Sequence, residues 1–283
     1  MTDTRIPLVV DLDGTLLRSD MLLESGLAFL RQYPLQAWKV FAWLKAGKVC
    51  LKQNLANHSE IDVAVLPYEP RVLDFIRAEK AKGRTIVLAT ASYRLLADKI
   101  ADHLQLFDEV LATEKGYNLS ADNKRDTLVA RYGEQGFDYV GNSTDDLPVW
   151  SRARKAYLTN PNGKLLQQAG QHHNIADIFY CHQPGLKDWI RGLRLHQWLK
   201  NLLIFVPLLA AHLVFVGDAL LQALLAFIAF GLTASSVYLL NDMLDLDDDR
   251  HHATKCQRPF AAGTLSLAQG LVACPLLLFV AGL

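Results

Sequence analysis

The sequence predicts an α/β domain built on a parallel sheet with a helical cap, followed by an all-α membrane-spanning segment of about three helices. Three observations carry this reading. Short apolar runs, Leu8–Val10 first among them, end in acids, hydroxyls or amides, as buried parallel strands do where their carboxyl ends form a site. Charged residues are frequent up to Arg194 and sparse beyond it, apart from one cluster between Asp242 and Arg258. Between and after those charges lie three uncharged stretches, 201–217, 219–240 and 265–283, near the length a membrane span requires.

Composition narrows the classes. A chain of 283 residues has room for about two domains. Its formal net charge is zero, so nothing in the global balance points to nucleic acid. Cys50, Cys181, Cys256 and Cys274 show no paired spacing, which indicates neither a zinc site nor a disulfide framework and suits packing residues in a reducing compartment. The first apolar stretch is only a strand long and runs into acids, so no cleavable signal peptide is expected.

The first strand, Leu8–Val10, stops in Asp11 and Asp13, followed by Gly14 and Thr15. Gly14 permits a tight turn that brings both carboxylates to one place. Two adjacent carboxylates repel unless a cation joins them, most simply Mg²⁺ with its preference for oxygen. Such a metal would keep Asp11 ionised as a nucleophile, with Asp13 carrying a proton to and from a leaving group. The string Asp-Leu-Asp-Gly-Thr-Leu16 resembles motif I of the haloacid dehalogenase (HAD) superfamily. The resemblance implies a Rossmann-like sheet and Mg²⁺-dependent phosphate chemistry over residues 1–183.

The next block, about 20–83, repeats apolar residues at helical spacing through Leu27, Leu30, Trp38, Phe41 and Trp43, broken at Pro34 and Gly47. Placed after motif I it resembles the helical cap of phosphoserine-phosphatase-like HAD members, which implies a small phosphate ester as substrate. Leu73 to Lys82 reads as an amphipathic helix closed by Gly83, and Thr85 to Ser92 as a second buried strand ending in hydroxyls. Thr90 matches motif II, whose hydroxyl donates to the transferring phosphoryl group. Lys124, opening a helical stretch, matches the motif III lysine that would neutralise nucleophile and phosphate; Arg125 is the competing candidate. Phe137 to Pro148 resembles motif IV with one departure: Asn142 stands where the first acid is expected. Its amide oxygen can still ligate Mg²⁺, but without charge, so weaker metal affinity is expected. Asp146 fits the second acid of that motif and Asp145 a solvent neighbour. The implied metal set is Asp11, Asp13, Asn142 and Asp146.

Pro184-Gly185 punctuates the domain end. Residues 184–200 carry Lys187, Arg191, Arg194 and Lys200 with Trp189 and Trp198 between them, which reads as a basic interfacial linker at the inner membrane surface. Basic residues recur after the second apolar stretch, at Arg250, Lys255 and Arg258. Both flanks then belong inside, with the first two spans a hairpin and the first domain in the cytosol. In the loop after that hairpin, Asp242, Asp245 and Asp249 share one face if the helix continues. Mg²⁺ between those acids and a diphosphate would relieve their repulsion, with Lys255 and Arg258 as cationic complement. The string Asn241-Asp-x-x-Asp-x-x-x-Asp249, followed by Arg258-Pro259, resembles the first aspartate motif of the UbiA family of membrane prenyltransferases. Leu193 to Asn201 is similar to the branch handling polyprenyl phosphate and phosphoribosyl diphosphate. That family has more spans and a second acidic motif, so residues 201–283 read as a partial UbiA-like domain of a longer fusion, one that homo-oligomers would have to complete.

The expected whole is a Mg²⁺-dependent phosphatase working through an aspartyl-phosphate, tethered at the inner membrane to a prenyltransferase module. A small phosphate ester or a prenyl-phosphoryl sugar phosphate would be its substrate and membrane lipid its partner. The rivals are a non-catalytic HAD scaffold, made thinkable by Asn142, and a prenyl or phosphoribosyl transferase with an accessory HAD domain.

Overall fold

The computed structural model describes residues 5–172, 175–181 and 183–283. They divide into two compact units, Met1–Gln183 and Pro184–Leu283.

The first unit follows the chain as β1 (Leu8–Val10), α1 (Met21–Gln32), α2 (Trp38–Lys45), α3 (Lys48–His58), α4 (Pro70–Ala81), β2 (Ile86–Tyr93), α5 (Arg94–Leu104), β3 (Glu109–Thr113), α6 (Ala121–Tyr132), β4 (Asp138–Gly141), α7 (Leu147–Trp150), β5 (Lys155–Thr159), α8 (Gly163–His172) and β6 (Ile175–Phe179). The strands form one parallel sheet in the order β3-β2-β1-β4-β5-β6. Val9 sits level with Val87 on one side and Tyr139 on the other. The order reverses between β1 and β4, the switch point where a doubly wound sheet opens a crevice at its carboxyl edge. Asp11 to Asp13 and Asn142 emerge at that crevice.

Residue alternation along the strands builds two cores. Leu8, Val10 and Leu88 face Val72, Ile76 and Ile100. Val9, Val87 and Tyr139 face Leu128, Trp150 and Leu165. All are buried, which is why these strands read as unbroken apolar runs. Helix α4 packs its Val72, Leu73 and Ile76 into the first of these cores, so the segment that stands apart from the sheet is α1 to α3, shorter than the expected cap of 20–83. That segment has its own small core, Phe29, Leu51 and Leu55, with Leu22, Tyr33, Val40 and Trp43 against it. Asp20 caps α1 by accepting from the Leu23 amide at 3.0 Å.

The second unit holds α9 (Leu186–Gly192), a 3₁₀ stretch (Leu195–Phe205), α10 (Val206–Ala210), α11 (Gly217–Leu244), α12 (Leu246–His251) and α13 (Leu267–Ala281). Helix α11 has 28 residues, about 42 Å at the α-helical rise. Among the described residues it alone is long and apolar enough to cross a membrane. The first expected span is instead tightly wound and then restarted at Pro207, whose ring fixes φ for a helix start. The last expected span is a helix of 15 residues. Small residues let these pieces approach. A Cβ on Gly231 would sit 2.7 Å from the Trp198 ring; the indole N–H of Trp198 donates to Ser235 Oγ at 3.0 Å, and Ser235 donates to the Leu193 carbonyl at 2.7 Å. The stretch read as a basic linker is therefore folded against α11.

Candidate active site

The site of the first unit is assembled from four segments far apart in sequence. The chain leaves β1 with the Asp11 amide bonded to the Val140 carbonyl at 3.0 Å, which holds the ends of β1 and β4 together. Gly14 then turns at φ +73°, and a Cβ there would lie 2.0 Å from the Asn142 amide nitrogen. No other residue serves both the backbone and that contact. Thr15 Oγ1 donates to Asn142 Oδ1 at 3.3 Å.

Lys124, in the first turn of α6, is buried and donates to Asp11 Oδ1 at 2.6 Å. It also donates to the Tyr139 hydroxyl at 2.9 Å and lies 3.7 Å from Asp146 Oδ1. The Tyr139 hydroxyl in turn donates to Asp146 Oδ1 at 2.8 Å. Asp146 Oδ2 accepts from the amides of Asn142 and Ser143, each at 3.0 Å. Arg125, the competing candidate, pairs instead with Asp122 and Asp126. Asp145 is exposed.

Asp13 is held differently: its carboxylate accepts from the Met21 amide at 2.8 Å and from Ser92 Oγ at 2.7 Å. Burial pushes its carboxyl up to about 6, with Asp20 adding to the rise. Burial also raises the Asp11 carboxyl, against the pull of Lys124. Lys124 is raised as well, because Asp11 and Asp146 outweigh the burial that opposes its charge. Two buried carboxylates, Asp11 and Asp146, thus share the Lys124 ammonium, with half-buried Asp13 beside them.

Each of the four expected metal ligands has a partner within the protein: Lys124 for Asp11 and Thr15 for Asn142. Asp13 turns to Met21 and Ser92, Asp146 caps the loop after β4, and among the described residues no three His, Cys, Asp or Glu side chains gather as a metal cluster. Thr90 is fully buried and its hydroxyl oxygen accepts from the Ser92 amide at 2.9 Å. It is Ser92, two residues on, that reaches an acid.

Ser92, Tyr139 and Lys52 were missed in the sequence. Ser92 shares the strand face of Thr90, and that two-residue spacing is the signal that could have found it. Tyr139 lies inside a strand where an aromatic reads as core. Lys52, from α3, donates to the Ala91 carbonyl at 2.7 Å and to Asn118 Oδ1 at 2.8 Å. With Met21, Ser25, Ser92 and Tyr93 it lines a small pocket between α1, α3 and the end of β2. Burial lowers its pKa while Asp13 and Asp20 pull it up.

In the second unit α11 ends at Leu244 and a new helix starts at Leu246, so the three acids do not share one continuous helical face. The break at Asp245 turns Asp242 and Asp249 towards each other across Arg258. Arg258 Nη1 lies 2.7 Å from Asp249 Oδ2 and 3.1 Å from Asp242 Oδ1. Arg194 pairs with Asp242 as well, its guanidinium resting over the Tyr238 ring. Asp242 and Asp249 are buried, Asp245 is half-buried, and Asn241 and Lys255 are exposed. Of the expected diphosphate motif the structure gathers Asp242, Asp249 and Arg258, and adds Arg194.

The family model for haloacid dehalogenase-like hydrolases matches residues 48–150, and that for the UbiA prenyltransferase family matches residues 202–283. The chain joins a HAD-like hydrolase domain to a UbiA-family domain. An uncharacterized protein, y4nM, of Sinorhizobium fredii is 38% identical over 98% of this chain and 54% of its own length. The decaprenyl-phosphate phosphoribosyltransferase of Corynebacterium glutamicum is 38% identical over 36% of each chain, and the nodulation protein NoeC of Azorhizobium caulinodans is 44% identical over 33% of this chain and 30% of its own. The chain thus spans about half the length of the first of these relatives and about a third of the other two. A protein of unknown function from Bordetella pertussis superposes with a TM-score of 0.47 at 16% identity, covering 62% of this chain and 98% of that one.

Proposed function

We propose that the first unit is a Mg²⁺-dependent phosphohydrolase with Asp11 as nucleophile, held at the inner membrane surface by a UbiA-type module. The observation that carries the reading is the 2.6 Å contact of Lys124 with Asp11, beside Asp13 at the switch point of the sheet. Burial raises both carboxyls, and their partners differ: an ammonium that favours the charged form on Asp11, and a hydroxyl and an amide that orient Asp13, which suits a nucleophile beside a proton carrier.

In this mechanism an Asp11 oxygen attacks phosphorus and the bond to the leaving oxygen breaks. Asp13 gives its proton to that oxygen, then takes one from water, whose oxygen attacks the same phosphorus and frees Asp11. Ser92 and the Met21 amide keep the Asp13 carboxyl oriented through both transfers. Lys124 balances charge on Asp11 and on the phosphoryl oxygens, and Tyr139 and Asp146 hold Lys124 in place. Oxygen donors around an uncompensated buried charge suit Mg²⁺. Asp11, Asn142 and Asp146 would hold it, and it would neutralise phosphoryl oxygens.

For the second unit the relatives named for decaprenyl-phosphate phosphoribosyl transfer support a role with polyprenyl phosphate and phosphoribosyl diphosphate. The substrate of the hydrolase would then be the phosphate ester on the sugar of a prenyl-linked product, removed before it diffuses away. Basic residues on both sides of the apolar stretches support a cytosolic hydrolase domain.

The test is Mg²⁺-dependent phosphate release from p-nitrophenyl phosphate by the full chain in detergent. Asp11→Asn should abolish release and leave the fold intact, since an amide forms no acyl-phosphate. Equal rates in Asp11→Asn and the parent chain would refute the nucleophile. No release from a folded, Mg²⁺-supplied parent would favour the scaffold reading.

A further inference from the structure

Residues 25–59, which contain α2 and α3 and most of α1, carry five cations, Arg31, Lys39, Lys45, Lys48 and Lys52, and no acid. Through them runs a ribbon of large apolar side chains that none of the unit's described residues covers. Leu35 is 92% exposed, Phe41 74%, Trp38 63% and Leu44 50%. They recur every three residues through a 3₁₀ turn, Pro34–Gln36, that leads into α2. The core of the cap does not need them: Val40 and Trp43, on the other side of α2, already pack on Phe29, whose ring lies 5.0 Å from that of Trp43. Helix α2 is therefore apolar on two faces, and a helix of that kind in a water-soluble position calls for a second apolar neighbour.

We infer that this ribbon is a membrane-docking surface, with Leu35, Trp38, Phe41 and Leu44 entering the headgroup boundary of an anionic bilayer and Lys39, Lys45 and Lys48 meeting its phosphates. Charge decides the occupant. An anionic lipid surface complements a segment whose charged side chains are all cations, and tryptophan beside lysine is the pairing found at headgroup depth. The chain also carries the 28-residue apolar helix Gly217–Leu244, so a bilayer is within reach of this unit at all times, and a short interfacial helix that would bind weakly alone binds well when tethered. Docking would put the pocket beside Lys52 and Ser92 next to lipid headgroups, where a phosphate ester on a prenyl carrier resides. The surface goes beyond the catalytic reading and stands whether or not the site hydrolyses anything.

The experiment uses the full chain reconstituted in vesicles of phosphatidylcholine and phosphatidylglycerol with brominated acyl chains, which quench tryptophans at the lipid boundary. The difference in emission between the parent and Trp38→Phe isolates Trp38. The expected result is loss of that difference signal on brominated lipid, with much less quenching in vesicles of phosphatidylcholine alone. Lys39→Glu, Lys45→Glu and Lys48→Glu together should restore the emission without changing the far-ultraviolet circular dichroism. Phe41→Trp in the Trp38→Phe background gives a second reporter on the same ribbon and should be quenched likewise. A Trp38 signal indifferent to brominated lipid in anionic vesicles overturns the inference. So does a signal that shifts with dilution of the protein in lipid, which would assign the ribbon to a second copy of the chain.

Discussion

Each unit of this chain buries a cluster of acids, and the two clusters are balanced in opposite ways. At the carboxyl edge of the sheet, Asp11 and Asp146 share the ammonium of Lys124, while Asp13 beside them is held by the Met21 amide and the Ser92 hydroxyl. Beside the long helix of the second unit, Asp242 and Asp249 are met by two guanidiniums, Arg194 and Arg258. The first cluster is short of positive charge, and burial pushes Asp11 and Asp13 up accordingly. The second is closed. On the proposed reading a divalent cation would complete the first, whereas it would have to displace arginines to enter the second. Sequence similarity alone would put a magnesium-binding aspartate motif in both places; the difference lies in which cations the fold brings in.

Lys124→Met should have the largest effect. It strands Asp11 and Asp146 in a buried place without their cation, which costs about 3–5 kcal/mol when a buried pair loses one partner. Phosphate release should fall by about 10³-fold, as when a preorganised charge donor is removed. Hydrogen exchange at the ends of β1 and β4 reads the first quantity and phosphate release the second. A variant that keeps full exchange protection at β1 and β4 would show that Lys124 is not the counter-ion the cluster depends on.

Arg258→Met in the second unit should cost less, about 2 kcal/mol, because Arg194 still serves Asp242 and only Asp249 loses its bidentate partner. Exchange protection in α12 should drop while that of β1 is unchanged. Added Mg²⁺ separates the clusters in the other direction: it should raise protection at the ends of β1 and β4, by about 2.7 kcal/mol at a hundredfold excess over its dissociation constant, and leave α12 as it was. Protection of α12 by Mg²⁺ in the parent chain would mean that its arginines yield readily and that the two sites are alike.

Asn142→Asp sharpens the point at the position where the sequence departs from the motif it resembles. A fourth carboxylate should tighten Mg²⁺ by about tenfold, or 1.4 kcal/mol, and lower the concentration for half-maximal phosphate release. Without metal the same change should destabilise the unit, since it adds charge to a cluster already short of cations. An unchanged metal dependence would remove Asn142 from the proposed ligand set.

Much of the sheet was legible because its strands are buried on both faces and so read as short apolar runs ending in chemistry. Asp11 and Asn142 came from such endings and Lys124 from the opening of a helical stretch, each with the family string around it, and the structure brings all three to the switch point. What the sequence did not show was side-chain direction. Nothing local says that Ser92, and not Thr90, bonds to Asp13, or that a core-like Tyr139 joins Lys124 to Asp146. The acids of the second unit fail for a related reason. Their spacing assumes one continuous helix, whereas the helix stops at Leu244, and Arg194 reaches Asp242 from 48 positions earlier in the chain. The first apolar stretch after residue 200 was long enough in composition, but Pro207 divides it.

A third cluster tests whether charge balance, and not membership of one unit or the other, is what separates the first two. Beneath the amino ends of the strands, Arg84 bonds Glu79 and Asp138, Arg154 adds a second guanidinium on Asp138, and Lys82 bonds Glu79 at 2.6 Å. This cluster sits in the first unit yet is closed, like that of the second. Burial pushes the Glu79 carboxyl up, but the bonds from Lys82 and Arg84 outweigh it and hold the group below its ordinary range. A carboxyl that binds its proton less readily when folded lends stability above its unfolded value, and that stability drains away as pH falls through the folded one. Glu79→Gln should therefore cost about 1 kcal/mol at neutral pH, the smallest effect predicted here. It should cost progressively less as pH drops through the carboxylate range, and Mg²⁺ should not alter it at any pH. Denaturant unfolding of parent and variant across that range makes the comparison. Parallel stability curves would show that Glu79 does not titrate with folding, and a Mg²⁺-dependent gap between them would undo the distinction between closed clusters and open ones.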